Sequence, residues 1–224
     1  DNYCNSACVT CKPSLSTRIG SLKDKLVIND NYELYKTLPL ERVVEIDING
    51  GEPSISENYN DLLNNLPNTV KIIRINTNCA RPIKQLETLL ISGVTVIVTV
   101  SFDGIDRIHD YIRYPVKWKN FEPLLLEYKK LSVKYKNMKL DTWTTVSALN
   151  VAHLSEIQSY CADRNIRHQF AFLNEPDPLN VKYCNWLTKN VKLEGVGIDK
   201  DNTDIILNFL QTEESNRQGI ERFW

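Results

Sequence analysis

The chain has almost no net charge, since 27 Lys and Arg stand against 28 Asp and Glu. That removes the basic surplus with which nucleic-acid binders neutralise phosphate, so nucleic acid is not an expected partner. No run of like charge marks a solvated tail. Nor is there an apolar run long enough to span a bilayer. The longest, GVTVIVTVSF (93–102), is far too short and strongly β-branched, so it predicts a buried strand and no membrane partner. Repeats and low-complexity stretches are lacking too. No signal peptide is expected, because only Asp1, Asn2 and Tyr3 precede the first cysteine. What remains, at 42% hydrophobic and 25% charged over 224 residues, is a globular composition sufficient for one sizeable domain and an appendage.

Within that domain, short β-branched runs alternate with amphipathic stretches. Strands are predicted at Arg42–Ile48, Val70–Asn76, Val94–Phe102, Met138–Ser147 and Arg167–Leu173. Helices are predicted between them, at Glu57–Leu66, Pro82–Ile91, Phe121–Tyr135 and Ala152–Asn165. Such alternation implies βα units, right-handed crossovers and a parallel α/β sheet. Many of the runs read as continuously apolar, which predicts helices on both faces. The rhythm stops after residue 173. A core of 1–173 and an extension of 174–224, with one helical stretch near Asp204–Thr212, are therefore expected.

In parallel α/β folds the chemistry gathers at the carboxyl ends of the strands. There the sequence turns polar or glycine-rich: NGGEP (49–53), NTNC (76–79), SFDG (101–104) and TVSALN (145–150). Half of the six cysteines lie elsewhere, in CNSACVTC, as Cys4, Cys8 and Cys11. Three readings compete for them. A disulfide leaves one thiol over, in a chain with no other secretory feature. A structural zinc site needs four ligands, and neither Cys79, Cys161 and Cys184 nor His109, His153 and His168 supply a second paired spacing. A [4Fe–4S] cluster normally takes four thiolates, so three would leave one iron open to a ligand.

The C-x3-C-x2-C spacing, followed in order by NGGEP, TVSFDGIDRIHDYIR and TWTTVSALN, resembles the radical S-adenosylmethionine (SAM) superfamily. The pattern is similar to its SPASM/Twitch branch, which includes peptide- and protein-modifying members. The resemblance covers roughly residues 1–173. It implies a partial (βα)6-type barrel, with Cys4, Cys8 and Cys11 each on one iron and SAM on the fourth. It also implies an electron donor such as flavodoxin or ferredoxin, and a peptide or protein substrate. Gly50, Gly51, Glu52 and Pro53 match the family's GGEP element, where Glu52 would receive the amino group of SAM; alone, the element reads as a tight turn.

Ser101 is then a polar contact to SAM, and Asp103 either a second contact or the carboxylate of an Asp-Gly turn. Arg113 matches an arginine directed at the carboxylate of SAM, or else pairs with Asp110 one helical turn away. Ser147 and Asn150 match positions near the ribose, or serve as helix caps. Asn76, Thr77 and Asn78 face the same rim. Cys79 departs from the pattern there, since a glycine commonly follows; as a residue it reads as small and buried, like Cys161.

Cys184, alone in the extension, cannot hold an auxiliary cluster, so a shortened Twitch-like region without one is expected. With only three residues before Cys4, the first barrel strand is expected to be missing, as in a trimmed domain. An oxygen-sensitive cluster points to the reducing cytoplasm. From another class stands a non-enzymatic zinc or iron–sulfur interaction module.

Overall fold

In the computed structural model, residues 1–30, 32–183, 206, 208–212 and 214 are described. Two short helices come first, α1 (Thr17–Leu22) and α2 (Tyr32–Tyr35). Strand and helix then alternate: β1 (Glu45–Ile48), α3 (Glu57–Asn64), β2 (Ile72–Thr77), α4 (Leu86–Ile91) and β3 (Thr95–Ser101). Helices α5 (Asp106–Ile112) and α6 (Trp118–Lys134) lead to β4 (Met138–Val146), α7 (Leu154–Asp163) and β5 (Arg167–Phe172). The five strands form one parallel sheet in the order β1-β2-β3-β4-β5. This is the parallel α/β architecture that the strand-helix alternation predicts, and it agrees with the partial barrel that the resemblance implies; the sheet is open, not a closed barrel.

One expectation fails. The sheet carries helices on one face, not two, because its strands alternate. Val96, Val98 and Val100 of β3 are buried, while Thr95, Ile97, Thr99 and Ser101 between them are partly open. Strands β2 and β4 repeat the pattern. The buried positions pack on Leu62 and Leu63 of α3, Leu89 and Leu90 of α4, Phe121 and Leu125 of α6, and Ile157 and Cys161 of α7. Phe121, Leu124, Leu125 and Tyr128 recur at helical spacing along α6, which makes that helix one-sided and sets it on the sheet. The other face is mixed, with Arg74 paired to Glu45 at 2.5 Å and Arg167 to Asp141 at 3.4 Å alongside Ile72, Ile97 and the exposed Trp143. Every strand therefore ends on one rim of an open concave surface.

Beyond β5, Leu179 and Val181 pack with Val9, Val146 and Ile206 in a second apolar cluster over that rim. Helical residues at 206, 208–212 and 214 fall in the stretch where a helix is expected. Cys184 lies outside the described residues. Among these residues no helix is long and apolar enough to cross a membrane.

Behind the rim lies His109 of α5, fully buried, its ring 4.2 Å from that of Phe121 and 5.6 Å from that of Trp118. Neither ring nitrogen has a hydrogen-bond partner at good geometry. Burial, with help from the Arg113 cation, pushes its pKa down to about 3, and a backbone group of Gly104 offsets little of this. Unfolded, the ring takes a proton near pH 6.5. Below that pH the unfolded chain binds more protons, so stability falls as pH falls. Denaturant titrations should show a loss of about 2 kcal/mol from this group between pH 7 and pH 5. His109→Leu should flatten that part of the slope, leaving the smaller contribution of His168, which burial also lowers. An unchanged slope in the variant would show that the ring titrates in the fold as it does in the unfolded chain.

Candidate functional site

The cysteine loop is tied down along its length. Ala7 N–H donates to the Tyr114 carbonyl at 2.7 Å, and Val9 N–H to that of Ile112 at 2.9 Å, anchoring the loop to the end of α5. Ser16 caps α1 and donates its hydroxyl to the Ser6 carbonyl at 2.8 Å, while Cys4 N–H reaches Thr17 Oγ1 at 3.1 Å. Cys4, Cys8 and Cys11 are free thiols, as are Cys79 and Cys161. No disulfide forms among them, which removes that reading for the described cysteines.

All three loop thiols line one cavity of about 320 Å³ at the strand ends. Gly50, Gly51 and Asn76 form a second part of its wall, and Ser101 and Arg113 a third. Eight of the thirteen residues proposed from the sequence to hold a cofactor or metal thus meet there, and Thr77 and Asn78 of the same predicted rim line it too. Ser6, Thr10 and Thr145 also line it without having been singled out. A wider groove of about 750 Å³ beside Ile105, Lys117, Trp118 and His153 contains no thiol and none of those residues.

The two glycines are required by a close approach. Gly51 N–H donates to the Asp1 carbonyl at 3.1 Å, and Glu52 N–H to that of Tyr3 at 2.6 Å. A Cβ on Gly51 would lie 1.8 Å from the Tyr3 oxygen, and one on Gly50 2.2 Å from the Asp1 oxygen. Gly50 also takes φ +145°, a conformation that side chains rarely adopt. Here the chain itself, in residues 1–3, occupies the space that the missing side chains leave.

The other five residues stand behind the wall, all buried. Glu52 accepts from Thr77 Oγ1 at 2.8 Å, Ser54 N–H at 3.0 Å and Asn78 N–H at 2.6 Å, and Pro53 opens the turn that follows. Asp103 accepts from Arg113 Nη1 at 2.6 Å and Thr145 N–H at 2.8 Å. Arg113 therefore pairs with Asp103, whereas Asp110 accepts from Trp118 N–H at 2.6 Å. Asn150 accepts from Ser147 N–H at 2.7 Å and donates to the Asp103 carbonyl at 2.9 Å, which locks the ends of β3 and β4 together. Cys79 is buried at φ +57°, in the left-handed region where a glycine would be easiest. Burial raises its thiol pKa well above the ordinary value.

Burial also pushes the Cys8 thiol up to about 12, with Arg113 pulling weakly the other way. It raises Cys4 and Cys11 too. Such thiols keep their protons until a cation displaces them, as metal binding does. Burial opposes the charge of Arg113, yet the neighbouring Cys8 and Asp103 outweigh it and hold its pKa above the usual value. Its Nε is buried and has no partner among the described residues, and the side chain lines the cavity. Among the described residues, no three His, Cys, Asp or Glu side chains stand close enough to share a single metal ion.

No protein-family model and no curated protein matches the chain. Solved structures do. Streptococcus suis SuiB bound to S-adenosylmethionine is similar over 84% of this chain and 41% of that one, with a TM-score of 0.54 and 19% identity. SuiB bound to its precursor peptide SuiA matches over 78% and 38%, with a TM-score of 0.51 and 20% identity. Native anSMEcpe with bound AdoMet and the Kp18Cys peptide matches over 79% and 50%, with a TM-score of 0.55 and 18% identity. The chain spans half or less of the length of each. At these identities the likeness shows the fold.

Proposed function

We propose that the chain is the core of a radical SAM enzyme, with Cys4, Cys8 and Cys11 holding a [4Fe–4S] cluster and SAM seated beside it in the cavity. The observation that carries the proposal is the meeting of three thiols, two rim glycines, Ser101 and Arg113, from separate segments, around one cavity. A single zinc ion needs ligands converging about 2.3 Å from one centre. Thiolates on different irons of a cube need only surround the same space, and the lining of one cavity by all three supports that reading. SAM bound in structures of the same fold supports the reading.

With SAM, such a cluster supplies a one-electron reductive cleavage that releases methionine and a 5′-deoxyadenosyl radical for hydrogen abstraction. The chain's residues bind and orient. Arg113, steadied by Asp103, would meet the carboxylate of SAM, and Ser101 and Asn76 would offer polar contacts. Gly50 and Gly51 line the wall, while Glu52, Pro53, Ser147 and Asn150 fix the loops behind it. The open face of the sheet, part charged and part apolar, leaves room for a substrate. A peptide or protein is the proposed class, after the peptides bound by SuiB and anSMEcpe. Flavodoxin or ferredoxin is the proposed reductant, and a reducing cytoplasm the proposed location.

Anaerobic reconstitution tests the reading. Brown protein with about four irons per chain that forms 5′-deoxyadenosine from SAM under reduction is expected. A colourless protein with one stoichiometric zinc would instead make it an interaction module.

A further inference from the structure

We propose that Asn78 is a positioning residue that holds the cysteine loop in register with the strand-end rim; its use for a cluster rests on the function proposed above, but its test does not. Asn78 follows β2 and is 5% exposed. Its Nδ2 donates to Asn5 Oδ1 and to Ser6 Oγ, both at 2.8 Å, and these two residues lie between Cys4 and Cys8. Its Oδ1 accepts from Ala80 N–H at 2.9 Å, closing the turn that points the amide at the loop. Its own N–H donates to Glu52. One side chain therefore joins the end of β2, the glycine-rich turn and the thiol-bearing loop.

The Ser6 carbonyl is also held by Ser16 Oγ, and Cys4 N–H by Thr17 Oγ1, but both of those links run to α1 and not to the sheet. The backbone tethers at Ala7 and Val9 fix the later half of the loop from the α5 side. On the β2 side, Asn78 supplies the side-chain link to residues 5 and 6. A primary amide donates twice while accepting, which neither a carboxylate nor a hydroxyl does. Without the bridge the Asn5 and Ser6 side chains lose their tie to the sheet and only the links to α1 remain, so the spacing of Cys4 from Cys8 and Cys11 loosens while the sheet stays intact.

Alkylation of the metal-free protein by iodoacetamide, mapped to individual cysteines by mass spectrometry, reads this directly. Asn78→Ser keeps a short acceptor for Ala80 N–H but cannot span the gap to the loop. Two lost hydrogen bonds should raise the Cys4 rate about tenfold. Cys161, buried under α7, reports global opening and should keep its rate. Ser6→Ala, which removes one of the two acceptors, should give a smaller rise and carries the test should Asn78→Ser not fold. An unchanged Cys4 rate, or equal acceleration at Cys4 and Cys161, overturns the proposal. After reconstitution, the variant should also lose iron to a chelator faster than wild type. A wild-type chain that takes up no iron defeats the cluster reading alone, whereas an unmoved Cys4 rate defeats the bridge alone.

Discussion

Cys8→Ser should abolish cluster loading and lower SAM cleavage by on the order of a thousandfold or more, since even outer partners of metal ligands are worth 10–100-fold. The substitution swaps sulfur for oxygen at nearly the same volume, so the loop should keep its shape through the bonds at Ala7 and Val9. Lost instead is a soft thiolate donor, for which a hydroxyl is a poor substitute at iron. Iron content, the visible absorption of the cluster and 5′-deoxyadenosine yield measure the effect. Cys161→Ala is the control, because that thiol sits beside Thr142 in the helix–sheet core at 3.4 Å and faces no cavity thiol. Iron retained at the wild-type level in Cys8→Ser would remove Cys8 from the ligand set.

Asp103→Ala should cost about 3–5 kcal/mol of folding stability. Asp103 is 1% exposed and Arg113 12%, so solvent does little to weaken the pair. Removing the carboxylate strands a buried guanidinium and leaves Thr145 N–H without its acceptor. Breaking such a pair from one side costs more than the pair contributes, because the remaining charge has no water to turn to. Asp103→Leu combined with Arg113→Met should therefore recover much of the loss seen in Asp103→Leu alone. Urea unfolding of wild type, Asp103→Leu, Arg113→Met and the double variant forms a double-mutant cycle. Additive losses would mean that the two groups are solvated separately in the fold.

Much of this was legible in the sequence, and the failures have physical causes. The five strands stand where β-branched runs predicted them, with ends shifted by up to three residues. The rim followed, because chemistry at strand ends is a property of the topology. Helices α1, α2 and α5 went unseen, each at most seven residues long and too short for a periodic signal. Two-sided cover was expected although Arg74, Asn76, Asp141 and Thr145 already broke the apolar runs. The division of labour inside the motifs could not be read from spacing. Glu52 finds Thr77 and Asn78 some 25 residues away. The glycines accommodate residues 1–3, a partner that no local pattern announces. Arg113 turned from Asp110, one helical turn off, to the buried Asp103 ten residues away.

Because each strand lies beside the one before it in the chain, the array can extend from one end without threading. The chamber at its margin cannot be assembled so gradually, for it joins Cys4 to Thr145 across most of the described sequence. A half-synthesised or clipped molecule could thus show sound spectroscopic secondary structure and still have nowhere to seat a guest. Cutting a single turn along that margin should open the chamber before the sheet itself melts.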